Sequence, residues 1–156
     1  MYSGRVQVQK NILKFALYVS FFPQLIAGPI VKYSDVARQI DTRKESAPLF
    51  LSGQRRFICG LAKKVLLANT FALTADAVWA MEPELMGSLT AWLGALSYTM
   101  QIYYDFSGYS DMAIGLGRMF GFRFKENFNY PYTSLSVQEF WRRWHISLSS
   151  WFKEYV

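Results

Sequence analysis

The sequence predicts an all-α, multi-pass transmembrane protein with broken or re-entrant helices and amphipathic interfacial ones. Three observations carry this reading. Hydrophobic residues make up 52% and aromatic residues 18% of the chain, while charged residues, at 18%, fall below the roughly 25% usual in soluble domains. Apolar runs approaching the length of a bilayer span recur along the chain. Arg38, Arg43, Lys44, Arg55, Arg56, Lys63 and Lys64 flank such runs, which places the polar stretch among them on the cytoplasmic side. Mean hydropathy stays near zero because connecting stretches such as residues 33–46 and 123–138 dilute the apolar segments.

The first apolar stretch, residues 12–31, contains Lys14, Pro23 and Gly28-Pro29. Pro23 removes a backbone donor and Gly28-Pro29 breaks the helix again, so this is a broken span whose freed groups must face protein or water. Residues 33–40 read as a short interfacial helix, with Ser34 or Asp35 as cap and Val36 and Ile40 four apart. After a polar linker at 41–46, a long helical pattern runs over 48–81, with Pro48 suited to its first turn. Lys63 and Lys64 lie inside it and must snorkel or face a wet cavity, which leaves residues 65–79 and their neighbours as the spanning part. Residues 88–104 read as a further span. Residues 112–122, with Gly115, Gly117, Gly121 and Arg118, read as a separate short, re-entrant helix, and Ser107-Gly108 as a turn.

The final helix is expected over 136–156. Ser136 and Glu139 form a capping box at its start. Stepping about 100° per residue puts Trp141, Trp144, His145, Leu148, Trp151, Phe152 and Tyr155 within roughly one third of the circumference. The chain breaks off inside this pattern, and residues 1–5 do not read as a secretory signal. A piece of a longer protein is expected, unstable on its own.

Several functions are excluded. The net charge of +6 is not patterned as in a nucleic-acid-binding protein. Cys59 is the only cysteine, which rules out an intrachain disulfide and a cysteine zinc site, and no metal ligand set is read. Gly115-Leu116-Gly117 lacks the strand and third glycine of a dinucleotide fingerprint.

Asp105 and Asp111 lie within or beside apolar segments, where a carboxylate is either functional or a helix cap; Asp111 fits an N-cap for a helix beginning at Met112. His145, the sole histidine, sits at the edge of the aromatic stripe. Partly apolar surroundings there keep an imidazole neutral and available as a base, and the same position equally suits a hydrogen-bonded packing residue. Ser149, one turn on, is placed to hydrogen-bond the ring. None of Ser147, Ser149 and Ser150 lies in a nucleophile elbow.

The motifs at 21–30 (FFPQLIAGPI), 104–111 (YDFSGYSD), 126–129 (ENFN) and 140–149 (FWRRWHISLS) resemble, in order and spacing, the membrane-bound O-acyltransferases of the alginate-acetylation type. The resemblance covers essentially the whole chain. It implies a partial acyltransferase domain over 1–156, lacking the family's N-terminal helices and a later segment that carries a second, principal histidine. It further implies a multi-pass enzyme of the bacterial inner or plasma membrane that moves an acyl group, acetyl above all, from a cytoplasmic donor toward an extracytoplasmic polysaccharide such as alginate. His145 would be catalytic or supporting, and Asp105, Asp111, Trp141, Trp144 and Ser149 would line or support the tunnel. No bound cofactor is implied; the donor, acetyl-CoA or another acyl carrier, is a substrate. Partners would be membrane lipid and polysaccharide-modification proteins, and not nucleic acid. D-alanyl or peptidoglycan acyl transfer within the same family, a proton or ion path through Asp105, Asp111 and His145, and a non-catalytic membrane fragment are the competing readings.

Overall fold

The computed structural model describes residues 9–21 and 28–156. The chain order is α1 (Ile12–Ser20), α2 (Tyr33–Thr42), α3 (Ala47–Ala62), a π-helical stretch (Lys63–Ala68), α4 (Asn69–Trp79), α5 (Ser88–Met119), α6 (Val137–Arg143) and α7 (Ile146–Tyr155), with single 3-10 turns at Pro83–Leu85 and Pro131–Thr133. Among the described residues there is no strand.

α1 is capped by the Asn11 side chain, which accepts from the Leu13 and Lys14 amides, and its 9 residues are too few to span. The expected break at Pro23 falls outside the described residues. Past it, Gly28 and Pro29 are buried in non-helical chain. α2 begins at Tyr33 without a side-chain cap, so Ser34 and Asp35 lie inside the helix and not before it. Asp35 instead pairs with Lys125 at 2.6 Å. Val36 and Ile40 face inward as the sequence pattern requires, onto Ile114, Phe122 and Phe124, and Leu17, Tyr18 and Phe21 complete this small core.

Ser46 caps α3 by accepting from the Leu49 amide, and Pro48 occupies the first turn. Through the π-helical stretch α3 continues into α4, so that Ala47–Trp79 is one helix of 33 residues. It is the one helix among the described residues long and apolar enough to cross a membrane. At 1.5 Å per residue it measures about 50 Å, more than the roughly 30 Å hydrocarbon core.

α5 corrects the sequence reading most. The expected span at 88–104, the turn at Ser107-Gly108 and the re-entrant helix at 112–122 are a single helix of 32 residues. Glycine and serine favour turns when solvated, but here their missing bulk is filled by α3. The two helices run antiparallel in such close contact that a Cβ on Gly60 would stand 2.5 Å from the Gly108 carbonyl oxygen, and one on Gly115 2.7 Å from that of Gly53. The buried small residues Gly53, Gly60, Ala68 and Ala75 recur at intervals of seven, eight and seven. The extra residue falls where the helix is π-helical, whose wider turn returns the small-residue stripe to α5. Outside this seam, Leu66, Leu73, Leu89 and Trp92 are each more than 60% exposed, giving the pair an apolar outer surface.

The final segment also departs from the single helix expected over 136–156. It breaks at Trp144, which is extended, and His145, which has φ 44° and ψ 55° in the left-handed region. Ser136 caps α6 through the Glu139 amide, but the Glu139 carboxylate accepts from the Leu135 amide and from Arg143 in place of returning to Ser136. These bonds hold its carboxyl below the usual range.

Leucine at Gly60 or Gly115 must force α3 and α5 apart, at a cost of about 1–3 kcal/mol or more for overpacking. Gly60→Leu in the full-length protein is expected to lower the thermal midpoint in nanodiscs by several degrees. Gly87→Leu, whose Cβ meets nothing within 4 Å, serves as the control and should leave the midpoint where it was. Equal midpoints for both variants would refute the close seam.

Candidate active site

The stripe that brings α3 and α5 together also carries charge. On α3 and its continuation, Gly53, Arg56, Gly60 and Lys63 follow one another at three, four and three residues; on α5, Gly108, Asp111, Gly115 and Arg118 do the same. Each stripe lies on one helix face. Asp111 therefore meets both cations. Arg56 donates to its Oδ1 through Nε at 3.0 Å and Nη2 at 2.7 Å, and Lys63 donates to its Oδ2 at 2.6 Å. The other edge of Arg56 is taken by Glu126, from Nη1 at 2.5 Å and also from Nη2. Asp111 is thus no N-cap but the mid-helix anchor of an ionic cluster. Lys63 and Lys64, the costly pair in the sequence, are both neutralised, since Lys64 pairs with Asp105 one turn and a half before Asp111.

A cavity of about 540 Å³ opens beside this cluster, lined by Arg56, Lys63, Tyr103, Ser107, Ser110, Asp111, Glu126, Asn127, Phe128, Asn129, Tyr130 and Ile146. Asp111 is the one sequence-expected site residue on its wall. The Asp105 side chain is half-exposed and paired along the seam. Trp141 is exposed on α6. Trp144, itself off the cavity wall, packs against Tyr103 and Phe128, which are on it, and against Phe106 and Phe140. Ser149 does not bond the imidazole; its hydroxyl donates to the Trp141 carbonyl at 3.0 Å, because the break at residues 144–145 turns α7 away from the continuous helix that the wheel assumed.

His145 occupies that break, immediately before Ile146 on the cavity wall. Its ring stands edge-on to Phe106 at 4.8 Å. Burial, unrelieved by any neighbouring charge, pushes its pKa below the ordinary value of 6.5 and keeps the ring neutral, as its apolar setting implied. A left-handed conformation is uncommon for a residue with a Cβ and persists only where the surroundings fix it. Asn127 fixes it here. Its carbonyl accepts from the Ile146 amide at 2.9 Å, and its Oδ1 accepts from the Ser147 amide at 3.1 Å and the Ser147 hydroxyl at 2.8 Å. Two residues on, the Asn129 amide donates to the Arg143 carbonyl at 2.9 Å. The Ser147 hydroxyl also accepts from the Ile30 amide at 3.0 Å, which gives this serine a structural role. Lys32 ties the far end of α7 by donating to the Ser150 carbonyl at 3.2 Å and to Glu154.

Arg56, Lys63, Glu126 and Asn127 are site residues; the sequence asked of Lys63 only that it snorkel or face a wet cavity and gave the others no role. The signal for the first two was present in the repeated glycine spacing on both helices. Asn127 lay within the motif at 126–129, but nothing local pointed to its clamping role, because its partner Ser147 lies 20 residues further along.

The chain belongs to the membrane-bound O-acyltransferase family, whose sequence model matches residues 5–156. It is 51% identical over 156 residues to the probable alginate O-acetylase AlgI of Pseudomonas aeruginosa, covering 100% of this chain and 30% of that protein. It is 46% identical over 154 residues to the peptidoglycan O-acetyltransferase of Helicobacter pylori, covering 94% of this chain and 28% of the relative. To the teichoic acid D-alanyltransferase of Bacillus subtilis it is 31% identical over 160 residues, covering 98% and 39%. The chain therefore spans less than two fifths of the length of each of these relatives.

Two outcomes follow from the site. Asp111→Ala leaves Arg56 and Lys63 without their shared carboxylate, and the loss should be about 1–3 kcal/mol, short of the 3–5 typical of a fully buried pair because the cations retain some exposure. Chemical denaturation of the full-length protein measures it, and an unchanged midpoint would dismiss the cluster as structural support. For His145 the sign is set by a folded pKa below the unfolded one. Between the two values the unfolded chain binds more protons, so stability rises with pH through that window; the penalty is complete below the folded pKa and absent above about 6.5. The thermal midpoint should fall from about pH 7 to about pH 5 more steeply in the wild type than in His145→Asn, which keeps the left-handed backbone without a titrating ring. Parallel curves would contradict the burial of a neutral imidazole.

Proposed function

We propose that this chain is the part of a bacterial inner-membrane O-acyltransferase that holds a polar reaction cavity, and that the enzyme transfers acetyl groups toward an extracytoplasmic polysaccharide of the alginate kind. One observation carries the reading: a neutral, half-buried histidine held in a left-handed turn, one residue before Ile146 on the wall of a polar cavity, on a scaffold with a long apolar helix. The identity to the alginate O-acetylases, higher than to the peptidoglycan and teichoic acid enzymes, supports acetyl and polysaccharide over D-alanyl and teichoic acid. The apolar outer surface supports a setting among lipids and further helices of a multi-pass protein.

In the transfer, the acceptor hydroxyl oxygen bonds to the acyl carbon while the bond from that carbon to the donor's sulfur or oxygen breaks. The hydroxyl proton leaves through a base and ends on the departing group. A neutral imidazole is the fitting base near neutral pH, and His145 either takes this proton or supports a second histidine elsewhere in the protein. The donor is a soluble acyl carrier such as acetyl-CoA, and polysaccharide-modification proteins act beside the enzyme. The mutual neutralisation of Arg56, Lys63, Asp111 and Glu126 leaves the cavity without free charge, which favours an acyl group over an ion and speaks against an ion path.

His145→Gly separates chemistry from packing, because glycine takes the left-handed backbone without strain but has no ring. In membranes containing the full-length protein and its partners, transfer of labelled acetyl to alginate oligosaccharides should fall by about 100-fold or more with the folded fraction retained. Near-native transfer by this variant would assign His145 to packing alone. Labelling of peptidoglycan fragments in place of alginate would redirect the acceptor.

A further inference from the structure

Three residues that line the cavity each carry a buried polar atom without a hydrogen-bond partner: Ser107 Oγ, Ser110 Oγ and Asn127 Nδ2. Their residues are 3%, 2% and 1% exposed. A helical serine or threonine ordinarily returns its proton to the carbonyl one turn back, as Ser20, Thr70, Thr99 and Ser150 do in this chain. Ser107 and Ser110 do not. They stand three residues apart on one face of α5, and both line the cavity.

The Asn127 amide admits only one orientation. Its oxygen must meet the Ser147 amide, which can only donate, so its nitrogen is left without an acceptor. An orphaned buried donor costs about 1–3 kcal/mol, and three polar orphans on residues lining the same cavity mark a place where something else supplies the partners. The neighbouring charges do not, since Arg56 and Lys63 are consumed by Asp111 and Glu126. What remains is a donor set of one amide and two hydroxyls with no net charge.

We propose that Asn127 Nδ2, Ser107 Oγ and Ser110 Oγ form a binding site for the carbonyl oxygen of an uncharged acyl group, an ester or thioester. Such an oxygen accepts and cannot donate, which matches a fixed N–H and two hydroxyls free to turn their protons toward it. Asn127 then has two duties. Its oxygen side clamps the His145 turn, and its nitrogen side holds the carbonyl, so the acyl group and the histidine are positioned from one residue. This assignment rests on the acyl-transfer reading for its place in a reaction, but the carbonyl site itself is testable apart from it.

The discriminating variant is Asn127→Asp, which retains an acceptor for Ser147 and removes the donor. The probe is S-ethyl thioacetate carrying a 13C-labelled carbonyl, added to the full-length protein in nanodiscs and followed by isotope-edited infrared absorption. The wild type should show a saturable carbonyl band at lower frequency than the probe in lipid alone, and Asn127→Asp and the double variant Ser107→Ala/Ser110→Ala should lose it, the serine double variant while keeping its thermal midpoint. In turnover, Asn127→Asp should lower kcat on the order of 100-fold, with a smaller change in KM, as removal of a donor to a developing oxyanion does. A wild type without the shifted band, or variants that retain it, would overturn the proposal. If Asn127→Asp fails to fold, the serine double variant decides alone. A shifted band lost in the variants, in a protein that transfers no acetyl, would leave the carbonyl site standing and remove the acyl-transfer reading.

Discussion

The rest of the structure depends on the backbone contact between α3 and α5. Where Gly60 meets Gly108 and Gly53 meets Gly115, there is no room for a Cβ, and the helices approach closely enough for short polar contacts to cross between them. That closeness is what lets Asp111 reach Arg56 and Lys63 with one carboxylate. With bulkier residues on the stripe the same charges would stand apart and require water. Among helices in an apolar setting, association gains little from burial of apolar surface, so small-residue packing and interhelical polar contacts must supply the stability. The chain uses both on one face.

The same constraint explains the cavity. Ionic groups that satisfy each other can be placed at depth without drawing in counter-ions, and the space beside them remains polar yet uncharged. Glu126 closes the cluster from the loop after α5, which ties the loop to the helix pair. Asn127 follows directly and passes the constraint on to α7 through the Ile146 and Ser147 amides. The position of the histidine is therefore a consequence of helix packing transmitted through two adjacent loop residues.

Much of this was legible in the sequence, and the failures share a physical cause. The cap at Ser136, Pro48 in the first turn of α3, the inward face of α2 and the wet cavity asked for Lys63 all follow from local chemistry and hold. The continuity of α5 was misread because Ser107-Gly108 and the glycines at 115 and 117 signal turns only when water competes for the backbone; here Gly108 and Gly115 admit the backbone of α3 and Gly117 admits the Phe124 ring. Asp111 was misread as a cap for the same reason, since a cap requires a helix to start there. The break before α7 had no local signal at all. Trp144 and His145 follow two good helix formers, Arg142 and Arg143, and neither glycine nor proline marks the site, so the amphipathic wheel ran through it.

That last failure also bears on how the site is built. A left-handed non-glycine residue carries a conformational cost that a continuous helix would avoid, and the chain spends four hydrogen bonds from the segment at 127–129 to hold it. Tyr130, the other such residue among those described, has φ 44° and directly follows that segment, on the cavity wall. Tyr130 thus lies on the cavity wall and His145 directly before Ile146, which also lies there, and the loop that Glu126 anchors to Arg56 of α3 carries the first and holds the second. Strain is retained where packing elsewhere over-determines it. Here the over-determining element is the α3–α5 seam, which is why residues as remote from His145 in sequence as Gly53 and Gly60 belong to the physical account of its position.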